Sequence, residues 1–142
     1  MTHGQSMLDS HPKALASIDR IKLADCIRAC YECAQTCSAC ADTCLNEDMA
    51  AELTTCIRTN LDCVDICAAA GKILSRHAGD AAEAARAMLE ACRTACVACA
   101  DECGRRASIR RHCELCAEAC SRAELACAEL LSSLAEYGEW SK

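Results

Sequence analysis

The cysteines of this chain, seventeen among 142 residues, are spaced as the buried positions of long helices. The first run alternates intervals of four and three residues through Cys26, Cys30, Cys33, Cys37, Cys40 and Cys44. On a helix with about 3.6 residues per turn, this spacing puts every thiol of the run on one face. The same rule holds for Cys56, Cys63, Cys67, Cys92, Cys96, Cys99, Cys103, Cys113, Cys116, Cys120 and Cys127. Because no cysteine lies off these stripes, the pattern predicts helices whose inward faces carry sulfur.

Composition and turn signals favour an all-α fold. The chain has one proline, five glycines and no phenylalanine, and it is rich in strong helix formers. Breaks near Asn46, Gly79 and Gly104 divide it into segments. An N-terminal extension (residues 1–16) has room for a short helix and precedes the main domain (residues 17–142). Within that domain, the predicted helices cover about residues 17–45, 48–77, 80–103 and 108–137.

Short connections make sequential helices antiparallel neighbours. The economical architecture is therefore an up-down-up-down antiparallel four-helix bundle with a thiol-lined core. The register also assigns core positions to residues other than cysteine, namely Met49, Leu53, Asn60, Ala70, Leu74, Ala85, Leu89, Ile109, Ala123, Leu130 and Leu134. Asn60 and Ala123 thus lie where the register would accept further thiols.

Charge and composition exclude several classes of function. A formal net charge of -6 excludes a generally basic nucleic-acid-binding protein and gives no polybasic membrane anchor. The N-terminus lacks the pattern of a secretory signal, and no run of about eighteen apolar residues is present, so we expect a cytoplasmic protein. In a reducing compartment, dense cysteines indicate metal binding or catalysis rather than disulfides, and an odd number cannot pair completely.

The chemistry of thiolates narrows the metal. Soft thiolates select Cu(I), zinc or iron–sulfur clusters. Zinc favours discrete tetrahedral sites, and iron–sulfur clusters favour loop motifs, whereas these thiols continue along helices. Cu(I), which two or three sulfurs satisfy, fits such a ladder best, with multiple ions per chain. A zinc or general soft-metal thiol buffer remains an alternative, as does a thiol redox protein, although redox catalysis normally uses one accessible cysteine of low pKa with a resolving partner.

The C-x3-C-x2-C-x3-C ladders at residues 26–44 and 92–103, set in four long helices, resemble the bacterial copper storage proteins. The resemblance covers about residues 17–137, and without a signal peptide the chain is similar to the cytosolic branch. It implies a non-enzymatic protein that stores or sequesters many Cu(I) ions on its cysteines. It also implies helices largely formed before metal binds, and a homotetramer.

Antiparallel threading gives the bundle two different ends. The first and third connections lie at one end, here called the top, together with Cys44, Met49, Cys103 and Cys113. We expect metal to enter there, with Met49 and His112 as ligands at the rim. The other end, the base, is predicted to be closed by an apolar plug of Ile21, Leu23, Ile73, Leu74, Leu89, Leu130 and Leu134.

Two groups of surface residues complete the predictions. Arg105, Arg106, Arg110 and Arg111 crowd the top, either as solvated loop residues or as charges that lower the pKa of rim thiols. In the second case they would favour copper delivery by a small anionic thiol complex or an acidic-faced chaperone. Ile27 and Tyr31 are predicted on the outer face of the first long helix, where they could serve a subunit interface.

Overall fold

A computed structural model describes residues 2–11, 20–76 and 82–137 of the chain. All regular structure in these ranges is helical, which confirms the predicted all-α class. The elements are helix α1 (His3–Asp9), helix α2 (Arg20–Leu45), a 3-10 turn (Ala50–Leu53), helix α3 (Thr54–Ser75), helix α4 (Ala82–Gly104) and helix α5 (Arg111–Tyr137). None of the described helices combines the length and the apolar character needed to cross a membrane.

The four long helices pack side by side into a helical bundle around one core. Helix α2 contacts α3 and α5, and α4 contacts the same two helices, so each long helix has two neighbours. Within these helices, the residues spaced by alternating intervals of four and three are buried, as the register predicts. Every cysteine is buried, and Leu53, Leu74, Leu89, Leu130 and Leu134 are buried among the thiols or beside them.

Helix α1 lies within the N-terminal extension and packs on α2. A capping box starts it, because the backbone amide of Gln5 donates to the Thr2 hydroxyl and the amide of Thr2 donates to the Gln5 side chain. Leu8 is the buried residue of α1 and joins the core cluster. An ion pair of 3.3 Å between Asp9 and Arg20 links this extension to the first turn of α2.

The connections at the top depart from the predicted helix bounds. The sequence predicts that the second long helix begins at residue 48. In the structure a 3-10 turn occupies Ala50–Leu53, and α3 starts at Thr54. The reason is that the backbone of Met49, at φ -103° and ψ 35°, is not helical. The fourth predicted helix was to begin at residue 108, but α5 starts at Arg111, because residues 105–109 form turns closed by bonds of the i to i+3 type, such as Ile109 N–H to Arg106 O at 3.1 Å.

Five expectations about burial were wrong, four of them at the ends of the helices. Met49 is 50% exposed and Ile109 is 73% exposed, because both lie in the connections rather than on a helix face. Ile21, predicted in the apolar plug, is 63% exposed on the first turn of α2, and Ile73 is only half-buried. Ile27, predicted on the outer face, is 7% exposed.

Tyr31 packs against the backbone of α3 at Gly71. A methyl group built on Gly71 would lie 2.9 Å from the Cε2 and Cζ atoms of the Tyr31 ring. That separation is well below a normal carbon–carbon contact, so only glycine lets the ring approach the helix this closely. The tyrosine remains partly exposed, at 41%.

Candidate metal centre

The thiols of the four long helices meet along the middle of the bundle, in the part of the chain that the structure describes. All seventeen cysteines are free and buried. Toward the base, the sulfur of Cys26 lies 3.7 Å from that of Cys127, and Cys30 lies 3.8 Å from Cys92. The sulfur of Cys67 lies 3.6 Å from that of Cys92, so the contacts continue from this pair toward the middle of the bundle. The sulfurs therefore form a continuous column rather than isolated pairs.

In the middle of the column, single thiols contact several others. Cys33 lies 3.7 Å from Cys120 and 3.8 Å from both Cys37 and Cys63. Cys37 lies 3.5 Å from Cys116. The spacing of 3.5–4.0 Å seen here suits metal binding, since sulfurs bound at about 2.3 Å to one metal lie about 4 Å apart in trigonal geometry.

The middle of the column contains overlapping groups of potential ligands. In each group the ligand atoms all lie within 4.8 Å of one another. Among them are three groups of four buried thiols, which are Cys33 with Cys63, Cys67 and Cys96, then Cys33 with Cys37, Cys63 and Cys120, then Cys37 with Cys99, Cys116 and Cys120. Because they share members, a metal in one group would share sulfur with a metal in the next.

Two further groups lie toward the ends of the column. Cys26, Cys30 and Cys127 form a group of three at the base. Cys40, Cys44, Cys113 and His112 form a mixed group at the top. The Nδ1 atom of His112 lies 3.3 Å from the sulfur of Cys40 and 3.7 Å from that of Cys113. The structure thus brings the predicted rim histidine to the thiols, whereas the exposed side chain of Met49 lies outside the buried column.

Asn60 places one amide among the thiols of the column. Its side chain is fully buried, and its Oδ1 atom accepts from the thiols of Cys99 at 3.0 Å, Cys116 at 3.2 Å and Cys103 at 3.5 Å. Its Nδ2 atom lies 3.9 Å from the sulfur of Cys56. The sequence register places Asn60 in the core, but it does not indicate that one carboxamide serves four thiols.

Burial and thiol contacts control the protonation of the column. Burial raises the pKa of the Cys44 thiol to about 12 and also raises the pKa of Cys113. Where two thiols share a hydrogen bond, the pKa of the accepting sulfur falls and the pKa of the donating thiol rises. The bond with Cys127 lowers the pKa of Cys26, and the same bond raises the pKa of Cys127. A metal that binds as thiolate must therefore displace protons from the column.

The four arginines at the top are engaged in local ion pairs. Arg105 and Arg106 both contact the buried carboxylate of Glu102, and the second contact is 2.8 Å long. Arg111 pairs with Glu114, and the Nε atom of Arg110 lies 3.7 Å from Glu47. The charge of Arg106 contributes to lowering the pKa of Cys56, after the larger effects of hydrogen bonds with Cys103 and Cys40.

Sequence reasoning missed Glu47, which the structure places beside the rim histidine. The Oε1 atom of Glu47 lies 3.2 Å from Nε2 of His112. The two residues are 65 positions apart, with Glu47 in the first connection and His112 in the first turn of α5, so no local spacing relates them. In this segment the sequence indicates only that the helix ends near Asn46. It does not indicate which residue the side chain of Glu47 contacts.

Comparison with known proteins agrees with this geometry. Residues 19–132 match the family model of the copper storage proteins. The structure of the copper storage protein Ccsp from Streptomyces lividans, loaded with 10 copper equivalents, is 50% identical, with a TM-score of 0.90 over 92% of this chain and 99% of that chain. A structure described as copper loading to a cytosolic copper storage protein from the same organism, with five coppers, is 54% identical, with a TM-score of 0.77 over 79% of this chain and 93% of that one.

A curated relative is also similar over most of its length. The uncharacterized cysteine-rich protein YhjQ of Bacillus subtilis is 36% identical over 110 residues, which cover 78% of this chain and 93% of the relative. The family match extends over the helices that carry every cysteine of the column. With its buried, overlapping thiol groups and this match, the chain belongs to the copper storage protein family.

Proposed function

We propose that this protein stores or sequesters multiple Cu(I) ions on cysteine thiolates inside its helical bundle. The observation that carries the proposal is the set of overlapping groups of four buried, free thiols within 4.8 Å of one another. Such sharing suits a metal that needs few ligands and forms bridged clusters with sulfur. The loaded structures of the Streptomyces lividans relative, with five coppers and 10 copper equivalents, support the capacity for many ions.

The proposed oxidation state is Cu(I). Among the described residues, the three groups of four in the middle of the column contain only thiols, and the amide of Asn60 lies beside them. Soft thiolates favour Cu(I), whereas Cu(II) prefers nitrogen and oxygen in square-planar arrangements. Zinc would require four ligands for each ion, and filling the first and third groups would take Cys33 and Cys37 from the group between them, so only two of these three groups could hold separate tetrahedral zinc ions.

The proposed ligands are the seventeen cysteines together with His112. The imidazole is supported by the distance of 3.3 Å between its Nδ1 atom and the sulfur of Cys40. Met49 stays a prediction as a ligand, since it lies in the connection at the same end but with half of its surface exposed. It would have to turn inward to reach the column.

The proposed topology is an up-down-up-down antiparallel four-helix bundle. The order of the thiol contacts supports it, because Cys26 of α2 meets Cys127 of α5, while Cys37, further along α2, meets the earlier Cys116. Metal would then enter at the top, past His112. The buried leucines of the base support a closed end, in spite of the exposed position of Ile21.

The setting of this storage role follows from the same proposal. We place the protein in the cytoplasm, where a reducing environment keeps thiols free, and the description of the relative as cytosolic supports this. Copper would come from a chaperone or a small thiol–copper complex, and four chains would form a homotetramer.

The role is binding rather than catalysis, since thiol redox enzymes need an accessible cysteine and these cysteines are buried.

Anaerobic titration with Cu(I) and Zn(II), under a competing chelator, tests the storage role. We expect on the order of ten or more tightly bound Cu(I) ions per chain and far fewer Zn(II) ions. A capacity of about one or two Cu(I) ions would exclude storage, and an equal capacity for zinc would favour the general thiol buffer. Far-UV circular dichroism during the titration should change little, because the helices are formed before metal binds.

A pair of variants locates the capacity within the column. Replacing both Cys33 and Cys37 with serine removes sulfurs that belong to more than one group, so the number of bound ions should fall. Thr36→Ser provides the matched control, because Thr36 lies beside them on α2 but outside the thiol stripe. Unchanged capacity in the double variant would mean that copper does not occupy these groups.

A further inference from the structure

The two ring nitrogens of His112 face chemically different surroundings. Nδ1 points to the column, at 3.3 Å from the sulfur of Cys40 and 3.7 Å from that of Cys113. Nε2 points outward, at 3.2 Å from the Oε1 atom of Glu47. The ring itself is mostly buried, with 20% of its side chain exposed. It therefore bridges the thiols and a carboxylate of the connection that follows α2.

The carboxylate decides which nitrogen carries the hydrogen. An ionised carboxylate can only accept hydrogen bonds, so the Nε2 atom of His112 must be the donor. In a neutral imidazole the other nitrogen is then an acceptor with a lone pair. Here that lone pair lies on Nδ1, next to the thiols of Cys40 and Cys113. This is the one neutral form of His112 that can offer a nitrogen ligand to a metal in the column.

Glu47 is itself held in place from two sides. Its backbone amide donates to the carbonyl of Cys44 at 3.2 Å, which ties it to the last turn of α2. Its Oε2 atom lies 3.7 Å from Nε of Arg110, the residue before α5. Two thirds of the Glu47 side chain is covered, since its exposure is 33%. The carboxylate thus joins the two connections across the end of the column where His112 lies.

From this geometry we propose that Glu47 is a positioning residue that fixes His112 in the Nε2–H form, with Nδ1 turned to the thiols, and that Arg110 holds Glu47 for this task. The inference rests on the proposed function, because it gives the rim nitrogen its role toward incoming copper. A metal-binding histidine commonly donates its second N–H to a carboxylate, which orients the ring and makes it a better ligand. Loss of such a partner typically lowers metal affinity or activity by about 10–100-fold.

The first experiment examines the metal-free protein and does not depend on copper. Long-range nitrogen–proton NMR correlations of the ring report which nitrogen of His112 carries hydrogen. We expect the Nε2–H form in the full chain and a mixture of forms, or the Nδ1–H form, in Glu47→Leu. Hydrogen on Nδ1 in the unaltered protein, hydrogen on both nitrogens, or an unchanged form in Glu47→Leu would each overturn the inference.

The second experiment measures the initial rate of loading from a Cu(I)–chelator complex. Glu47→Leu should load about tenfold more slowly or worse, with unchanged helicity and final capacity. Glu47→Gln should recover most of the rate, because its amide oxygen can still accept from Nε2–H without the charge. The matched control is Glu52→Leu, which removes an exposed carboxylate from the 3-10 turn at the same end and should leave the rate unchanged.

These outcomes separate this inference from the storage role. If the unaltered protein fails to bind multiple Cu(I) ions, storage is wrong, while the NMR result still decides whether Glu47 fixes the ring. If storage holds but Glu47→Leu loads at the original rate, the positioning role is wrong. Equal slowing in Glu47→Gln and Glu47→Leu would also overturn it, since the loss would then follow from charge rather than from the hydrogen bond to His112.

Discussion

The amide of Asn60 allows a sharp test of how strongly the thiol column excludes charge. Replacing it by aspartate changes one group, NH2 to oxygen, and leaves the shape of the side chain almost the same. The position is fully buried, and its polar neighbours are the thiols of Cys56, Cys99, Cys103 and Cys116. These include no cation, so an ionised carboxylate would be stabilised there only by weak S–H donors.

The size of the effect follows from this burial. Full burial raises the pKa of a carboxyl by as much as 3–5 units, and each unit corresponds to about 1.4 kcal/mol. With a shift of about 3 units, Asn60→Asp should lose about 4 kcal/mol of stability at neutral pH in the metal-free protein. The sign is fixed by linkage. A folded-state pKa above the unfolded value of about 3.9 means that the variant is as stable as its parent near pH 4 and weakens as pH rises.

The assay is urea unfolding of the reduced, metal-free protein, followed by far-UV circular dichroism between about pH 4 and pH 8. Asn60→Leu is the matched control, since it removes the same hydrogen bonds without adding charge. Its stability should stay within about 2 kcal/mol of the parent, with the parent's pH dependence. If Asn60→Asp showed the same pH dependence as Asn60→Leu, water would reach the column, and the claim that the column destabilises a buried charge would be refuted.

Three further predictions concern packing and protonation. Leu130→Ala should lower the free energy of unfolding of the metal-free protein by about 2–5 kcal/mol, whereas the exposed Leu125→Ala should change it by less than about 0.5 kcal/mol, both by urea unfolding. Gly71→Ala should cost about 1–2 kcal/mol in the same assay, because its methyl group meets the Tyr31 ring at 2.9 Å; if Gly71→Ala costs as much in a Tyr31→Ala background, that contact is not the cause. Since burial raises the pKa of Cys44 to about 12, the unfolded chain ionises first, and stability should fall as pH rises above about 8.5; Cys44→Ser should make this fall shallower, and an equal slope would contradict it.

Helical periodicity explains why so much of the core could be predicted from the sequence. Burial of a residue within a long helix depends on its position in a local repeat, and Cys63 and Leu89 lie where that repeat puts them. The repeat ends where the helices end. Met49 and Ile109 kept the right spacing but belong to connections whose turns are set by how the helices meet, so both are exposed.

Contacts between distant segments explain the features that the helical repeat does not predict. Ile27 has the spacing of an outer-face residue, and its burial arises from packing that a single helix does not encode. Glu47 reaches His112 across 65 residues, and its acidic side chain looked like any other polar residue near a helix end. The contacts of the two ring nitrogens of His112 depend on how the first connection meets the start of α5.

Sharing of thiols between neighbouring groups also affects how a partly filled protein would behave. Cys33 and Cys37 each belong to two groups of four, so the groups are not independent sites. A copper ion passing from one group to the next could keep its bond to the shared sulfur throughout, which makes such a step a ligand exchange rather than a dissociation. At intermediate loading, the same number of ions could then occupy many arrangements of similar energy. Configurational entropy would favour these half-filled states, and the chain would behave as a reservoir with graded occupancy.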